Sequence, residues 1–359
     1  MSGVTAALTR VGQSLWLDNI TRGMLDDGTL ARLIAEFHVT GLTSNPSIYN
    51  AAVKTTSFYD EALAALGRTQ VSAEEAFFAL AIEDLTRAAD LFRPVHDRTG
   101  GLDGWVSLEV SPKLAYDTAA TLAQAKALHA RAGRPNLFIK IPGTPAGLPA
   151  IEEAIFAGVP VNVTLLFTRA QYLASAGAYL RGIERRVEAG LSPRVCSVAS
   201  LFISRWDGGV VDRLPPQLVN RLGIAVGGVS YQAYRDLLAS DHFQRLANAG
   251  ALPQRLLFAS TGTKDPNASD CLYIDSLAAP LTINTMPEKT LHAFADHGLV
   301  AGTLSAGGGQ AESTLFAIER AGVDLATLGE KLQQDGAASF VKSWEELLGV
   351  IEAKSLAVA

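Results

Sequence analysis

Short apolar runs alternate with longer segments of helical periodicity along most of the chain. The short runs predict eight strands, at residues 14–18, 39–44, 104–110, 136–141, 159–164, 195–200, 256–260 and 281–284. Alanine-rich amphipathic segments between them predict helices, among them residues 72–92, 114–131, 146–156, 169–189 and 224–249. The long connections between strands two and three and between strands six and seven must hold extra helices. Strands separated by helices indicate right-handed βαβ units and a parallel sheet.

Eight such units predict an α/β fold, a closed (β/α)₈ TIM barrel of parallel strands with additional helices. Residues 287–296, 311–321 and 324–351 are helical in pattern and predict a helical C-terminal region. No linker-like or low-complexity segment divides the chain, so we expect residues 1–359 to form a single barrel domain. The alternative is an open doubly wound sheet, but no G-x-G-x-x-G follows the first strand.

Composition narrows the class of protein. The chain has 359 residues, of which 48% are hydrophobic, and 30 basic against 36 acidic residues give a net charge of −6. This balance favours neither nucleic acid nor a membrane surface as a partner. Cys196 and Cys271 cannot build a disulfide framework, and no Cys/His cluster has metal-ligand spacing. The N-terminus lacks the apolar core of a signal peptide, so we expect a cytoplasmic protein.

Polar and ionisable residues recur at the ends of the predicted strands. Successive strand residues point to opposite faces, and the apolar parity is expected to face the helices outside the barrel. The other parity, facing the barrel interior near its C-terminal rim, then includes Asp18, Ser107, Glu109, Lys140, Asn162 and Thr164. Strand two ends in Thr43-Ser44-Asn45-Pro46 and strand six ends at Ser200, which adds polar groups at the same rim. Active sites of such barrels lie at that rim. A buried salt-bridge network is the alternative explanation.

Lys140 ends the apolar run of strand four, where a charged amine has no structural reason to be. Low-dielectric surroundings disfavour an ammonium ion, and a neutral amine facing a pocket suits Schiff-base chemistry on a carbonyl. A lone lysine otherwise extends to solvent or pairs with a carboxylate. Glu109 and Asp18 are candidate acid–base groups. Their alternatives are that Glu109 only neutralises Lys140 and that Asp18 caps a turn.

Five motifs, in order on the predicted strands, make the chain resemble transaldolases, which are Schiff-base enzymes on a (β/α)₈ barrel. They are GLTSNPSIYNAA at 41–52, VSLEVSPKLAYDT at 106–118, NLFIKIPGTPAGLPAI at 136–151, VNVTLLFTRAQY at 161–172 and SLFISR at 200–205. The resemblance covers nearly the whole chain. The C-terminal helical region and residues 277–291 are similar to a longer bacterial branch of the family.

The resemblance implies a catalytic group and a substrate-binding group. By it, Lys140 forms the Schiff base, Glu109 activates a bound water, Asp18 handles a substrate hydroxyl proton and Thr164 orients the water. The implied substrate-binding residues are Thr43, Asn45, Asn162, Ser200, Arg205 and Lys264. Of these, Asn45 and Asn162 would hold a dihydroxyacetone unit and Ser200 a hydroxyl group.

The phosphate end departs from the compact branch of the family. A second arginine of that branch would fall near Pro280, which cannot serve. Arg205 matches a phosphate-binding arginine, since a guanidinium binds phosphate oxygens bidentately. Lys264, in the loop after strand seven, is the candidate for the second cation, and an exposed loop lysine without a role is the alternative.

The implied function is transfer of a dihydroxyacetone unit in the non-oxidative pentose phosphate pathway. The donor would be sedoheptulose 7-phosphate or fructose 6-phosphate, and the acceptor glyceraldehyde 3-phosphate or erythrose 4-phosphate. The intermediate would be an imine or enamine on Lys140, so neither a metal nor an organic cofactor is implied. Partners are then phosphorylated sugars, and the protein would be a monomer or homodimer. Alternatives are a fructose-6-phosphate aldolase-type lyase releasing free dihydroxyacetone, the same chemistry on another sugar, and a non-catalytic sugar-phosphate-binding barrel.

Overall fold

Eight parallel strands form the centre of the molecule. The computed structural model describes residues 3–69 and 71–357. The strands are β1 Ser14–Leu17, β2 Val39–Leu42, β3 Val106–Glu109, β4 Leu137–Pro142, β5 Val161–Leu166, β6 Ser197–Phe202, β7 Gln254–Ala259 and β8 Ile283–Met286. Each matches one of the eight predicted strands, with ends displaced by a few residues.

The strands follow one another around a barrel. Their order in the sheet is β2-β1-β8-β7-β6-β5-β4-β3, and all pairs are parallel. A parallel bridge between Gly41 and Trp105 joins β2 to β3, with hydrogen bonds from Leu42 N to Trp105 O (2.9 Å) and Gly104 N to Thr40 O (2.8 Å). The predicted (β/α)₈ TIM barrel is therefore confirmed.

Helices surround the barrel. Within the described residues they are α1 Gly3–Arg10, α2 Arg22–Asp26, α3 Thr29–Phe37, α4 Pro46–Thr55, α5 Asp60–Gly67, α6 Ala73–Arg98, α7 Thr118–Ala132, α8 Gly147–Phe156, α9 Arg169–Glu188, α10 Ser204–Gly208, α11 Leu222–Ala239, α12 Asp241–Asn248, α13 Leu272–Ser276, α14 Glu288–His297, α15 Ala311–Arg320 and α16 Leu325–Ala357. The two long connections hold α4–α6 and α10–α12, as expected. Every helix within residues 3–69 and 71–357 is too short or too polar to span a bilayer.

The helix predicted at 224–249 is in fact two helices. Ser240 interrupts it, because its hydroxyl accepts a hydrogen bond from Phe243 N at 3.3 Å and so begins α12. A serine in extended conformation is a favoured N-cap, and here it outweighs the continuous apolar periodicity.

The base of the barrel is filled by aromatic side chains. The rings of Trp105 and Phe138 stack with centroids 4.0 Å apart, and Trp16 lies against Phe138 at 6.3 Å. The Trp16 indole donates to Asp103 Oδ1 at 2.6 Å. Gly41 faces Trp16 so closely that a Cβ would lie 2.6 Å from Trp16 Cε2. This packing closes the interior below the rim.

The 33-residue helix α16 crosses the opposite, C-terminal end of the barrel. Buried Gln333 donates to Gly143 O (3.1 Å) and Leu165 O (2.9 Å), at the ends of β4 and β5. Further along, Ser343 accepts a hydrogen bond from Ser47 at 2.8 Å, which joins α16 to α4. The predicted C-terminal helical region therefore forms one wall of the barrel mouth.

Candidate active site

Lys140 lies on β4 with its amine inside the barrel. The side chain is only 5% exposed, and Nζ donates to Ser44 O at 3.0 Å. Its Cα is in register with Glu109 on β3 and with Asn162 on β5. Three neighbouring strands thus bring an amine, a carboxyl and an amide to one level of the interior. The alternating parity predicted that all three face the interior.

Glu109 is the immediate electrostatic partner of Lys140. Its Oε2 lies 3.4 Å from Lys140 Nζ, and its side chain is also 5% exposed. Neither carboxyl oxygen accepts a hydrogen bond from any described residue. Burial raises the pKa of Glu109 to about 7, although the charge of Lys140 opposes that shift. The group is therefore poised to gain or lose a proton near neutrality.

Asp18 follows β1 on another side of the pocket. Thr43 Oγ1 donates to its Oδ1 at 2.8 Å and also lies 2.9 Å from Thr285 Oγ1. Burial raises the pKa of Asp18, while Lys140, the Thr43 hydrogen bond, Arg205 and Lys264 act to lower it. A hydrogen bond from a hydroxyl orients the carboxylate and leaves Oδ2 for another partner.

Asn162 is held in a layer of hydrogen bonds just beneath the pocket. Its Nδ2 donates to Ser107 Oγ at 3.0 Å, and its Oδ1 accepts from Ser200 Oγ at 2.7 Å. Asn162 is fully buried and does not itself line the pocket. Thr164, two residues on, does line it, and its buried hydroxyl has no hydrogen-bond partner in the described part of the chain.

Asn45 joins β2 to α4 at the rim. Its backbone is extended, its Oδ1 accepts from Ile48 N at 3.1 Å, and Pro46 occupies the first helical position. Asparagine before proline is a strong helix start, which fixes the place of Asn45 on the pocket wall. The preceding carbonyl, that of Ser44, is the acceptor for Lys140, a backbone contact that the sequence analysis did not foresee.

Two cations, Arg205 and Lys264, lie on one side of the mouth. Arg205 is the second residue of α10 and packs over the rings of Phe202 (5.0 Å) and Phe340 (5.8 Å). Burial lowers the pKa of its guanidinium, and Asp18 partly compensates. Lys264 is exposed on the loop after β7. Neither cation forms a salt bridge with a described carboxylate, so both are free to bind an anion.

The structure joins most of these residues in one pocket of ≈ 160 Å³. Eight of the ten predicted site residues line it, namely Asp18, Thr43, Asn45, Lys140, Thr164, Ser200, Arg205 and Lys264. The other two, Glu109 and Asn162, lie directly behind the wall, in contact with Lys140 and Ser200 respectively.

Several lining residues were missed by the sequence analysis. Thr285 lies one residue beyond the strand predicted at 281–284, so extending that strand would have found its inward parity. Ser260 was included in a predicted strand but not assigned a role, and in the structure it has a positive φ of 54°. Phe340 comes from α16, and its ring lies 5.9 Å from Lys140 Nζ. Nothing in helical periodicity indicates that it covers the mouth.

The arrangement combines a nucleophile, two proton carriers and an anion site. An amine beside a carboxyl with a pKa of about 7 can exchange a proton at neutral pH. A second carboxyl, that of Asp18 directly after β1, can serve another proton transfer. This set of groups can form and hydrolyse an imine with a carbonyl compound that carries a phosphate.

Comparison with known proteins gives consistent results. A family model described as Transaldolase/Fructose-6-phosphate aldolase matches residues 15–351. The chain is 45% identical to Transaldolase 1 of Streptomyces coelicolor, over 98% of this chain and 94% of that protein. It is 42% identical to a Transaldolase of Arthrobacter sp., over 98% and 97%, and 43% identical to one of Thiobacillus denitrificans, over 97% and 99%.

Proposed function

We propose that this protein moves a dihydroxyacetone unit between phosphorylated sugars through a Schiff base on Lys140. The chain belongs to the transaldolase/fructose-6-phosphate aldolase family. It is an enzyme, a transferase with transaldolase activity. The proposed donors are sedoheptulose 7-phosphate and fructose 6-phosphate, and the proposed acceptors are glyceraldehyde 3-phosphate and erythrose 4-phosphate. These reactions would place it in the non-oxidative pentose phosphate pathway.

In the first step, the neutral amine of Lys140 attacks the ketose carbonyl and forms a carbinolamine. Loss of water needs a proton on the departing hydroxyl, and Glu109 is the nearest carboxyl to the amine, at 3.4 Å. Because its pKa is about 7, Glu109 can donate that proton and later withdraw one from the water that hydrolyses the imine. The buried hydroxyl of Thr164 forms no hydrogen bond with a described residue, which supports a role in orienting this water.

In the second step, the C3–C4 bond of the donor breaks. The C4 hydroxyl loses its proton, the aldose leaves, and the electron pair of the broken bond enters the iminium to give an enamine. Asp18 is the proposed base, because its carboxylate is held by Thr43 on the opposite side of the pocket. The acceptor aldose reverses the step, and the same carboxyl returns the proton to the new hydroxyl.

Substrate binding is assigned to the remaining polar groups. Asn45, Ser200 and Thr43 line the pocket and are proposed to bind the three-carbon unit next to Lys140. Asn162, behind the wall, is proposed to contribute through its hydrogen bond with Ser200. Arg205 and Lys264 are proposed to bind the substrate phosphate, because they lie at the mouth and form no salt bridge with a described carboxylate. Phosphorylated sugars are therefore the proposed partners.

One observation carries the proposal: a buried amine next to a buried carboxyl whose pKa is close to neutrality. The test is reduction with borohydride in the presence of fructose 6-phosphate, followed by peptide mass analysis. A reduced three-carbon adduct on Lys140 is expected, with none in Lys140→Met and a normal yield in Lys113→Arg, a lysine paired with Glu345 outside the pocket. Folded protein with no adduct, or with its adduct on another lysine, would overturn the proposed intermediate.

Transfer and simple cleavage differ in the fate of the enamine. The family description names both activities, whereas the similar curated proteins are named transaldolases. The Phe340 ring, on α16, lies 5.9 Å from Lys140 Nζ and places an apolar surface beside the enamine, which supports transfer. We expect free dihydroxyacetone to accumulate only slowly without an acceptor. Release at the rate of transfer would instead identify an aldolase.

A further inference from the structure

A cysteine, a histidine and an aspartate converge at a second place in the molecule. Asp270 and Cys271 directly precede α13, and His297 ends α14. His297 Nε2 lies 2.8 Å from Asp270 Oδ1 and 3.9 Å from Cys271 Sγ, and this sulfur lies 3.6 Å from the same Oδ1. Cys271 is buried, whereas Asp270 and His297 are about half exposed. The thiol therefore forms the floor of a cluster that is open to solvent.

These separations are close to those of a tetrahedral metal site. Zinc bonds of about 2.3 Å to sulfur and about 2.0–2.1 Å to nitrogen and oxygen require S–N and S–O separations of about 3.5 Å and an N–O separation of about 3.3 Å. The three observed separations are 3.9, 3.6 and 2.8 Å. Each differs from the tetrahedral value by no more than about 0.5 Å. Small side-chain rotations are enough to reach it.

A further carboxylate lies behind the histidine. Asp296 Oδ2 is 3.1 Å from His297 Nδ1, on the side of the ring away from the cluster. A carboxylate in this position holds the Nδ1 proton, so that Nε2 presents its lone pair to a metal. Asp275 adds negative charge near Cys271. Carboxylates, an imidazole and one thiol suit a divalent cation of intermediate softness.

We propose that Asp270, Cys271 and His297 bind a Zn²⁺ ion, with the fourth position left to water. Binding releases the thiol proton, and any second proton on the imidazole, to solvent, and involves no oxidation or reduction. A dication next to the sulfur stabilises the thiolate.

A bound Zn²⁺ ion would cross-link two segments of the barrel. His297 belongs to the helix after β8, whereas Asp270 and Cys271 end the loop that follows β7 and carries Lys264. Cys271 and His297 are 26 positions apart in the sequence, a spacing that matches no metal-ligand motif. The alternative without a metal is a surface His297–Asp270 ion pair beside an inert buried thiol.

The test is a titration of tag-free, chelator-treated protein with Co²⁺, followed by displacement with Zn²⁺. A thiolate-to-cobalt charge-transfer band at one Co²⁺ per chain is expected, together with a higher melting temperature in Zn²⁺. The chain has two cysteines, so Cys196→Ser is the matched control for Cys271→Ser, and His292→Gln on the same helix is the control for His297→Gln. Because Cys271→Ser alters a buried position, the exposed His297→Gln keeps the test decisive if the first variant folds poorly.

The proposal predicts that Cys271→Ser abolishes the band and that His297→Gln weakens Co²⁺ and Zn²⁺ binding at least about tenfold. The two control variants are expected to bind as the wild type does. Absence of the band from the wild type, or a band that survives Cys271→Ser or is lost in Cys196→Ser, would overturn it. None of these readouts depends on catalytic activity.

Discussion

Replacement of Glu109 by glutamine removes one ionisable proton from the pocket and leaves the shape of the side chain nearly unchanged. Glu109 is the carboxyl nearest to the Lys140 amine, 3.4 Å away, and burial raises its pKa to about 7. Attack on a carbonyl requires a neutral amine, and Glu109 is the nearest carboxylate that can accept the proton of Lys140.

The expected pH dependence follows from the pKa of Glu109. Below its pKa of about 7, Glu109 stays protonated and cannot accept a proton from Lys140, so kcat/KM falls tenfold per pH unit. At about pH 5 the rate constant is then about one hundredth of its value at about pH 8. If Glu109 titrated at the usual 4.5, about three quarters of the activity would remain at about pH 5. The two cases differ by well over tenfold.

The assay is kcat/KM for sedoheptulose 7-phosphate with glyceraldehyde 3-phosphate between about pH 5 and pH 8. The substrate phosphate has a pKa of about 6 and titrates in the assay of every variant. Comparison with the Glu109→Gln profile therefore separates its contribution from that of Glu109. We expect Glu109→Gln to lower kcat/KM by about 10²–10⁴-fold and to lose the limb near 7. Glu75→Gln, at an exposed position on α6, should keep the wild-type profile. A wild type that keeps more than half its activity at about pH 5, or a Glu109→Gln variant that keeps the limb near pH 7, would refute this role of Glu109.

The other predictions concern the phosphate end and the barrel base. Arg205→Gln should raise the KM for fructose 6-phosphate about 10–100-fold. Lys264→Gln should raise it less than tenfold, because the Lys264 side chain is exposed. Unchanged KM values in both variants would contradict the assignment of these residues as phosphate ligands. Gly41→Ala should lower the free energy of unfolding by about 1–3 kcal/mol, since its Cβ would lie 2.6 Å from Trp16 Cε2. Gly349→Ala should instead raise the free energy of unfolding by about 0.5–1 kcal/mol, because a Cβ at this helical position would meet no described atom within 4 Å. Denaturant unfolding that finds Gly41→Ala more stable than Gly349→Ala would contradict this packing.

The interior positions were predictable because strands impose a strict alternation. Apolar side chains at one parity of β3, β4 and β5 left Glu109, Lys140, Asn162 and Thr164 on the other, and the structure has all four inside the barrel. Alternation does not fix the register between strands. That Glu109, Lys140 and Asn162 share one level depends on backbone pairing between strands that are distant in sequence.

Contacts made by helices and loops were beyond the reach of the same reasoning. The periodicity of α16 predicts a helix, but its position over the mouth depends on Gln333 binding the carbonyls of Gly143 and Leu165. Leu165 adopts a positive φ of 58° where the pairing of β5 with β6 is irregular, and no residue type signals this in advance. The convergence of Cys271 and His297 likewise depends on where two loops end after the barrel closes.

Buried polar groups at the rim of the barrel lower its stability. At the base, aromatic rings stack, and the buried Trp16 indole donates a hydrogen bond to Asp103. Near the rim, the Glu109 carboxyl and the Thr164 hydroxyl are buried without a hydrogen bond from any described residue. Each such group costs about 1–3 kcal/mol, and apolar side chains would avoid that cost. Because the raised pKa of Glu109 arises from the same desolvation, the feature that weakens the fold at the rim is the one that prepares the carboxyl for proton transfer.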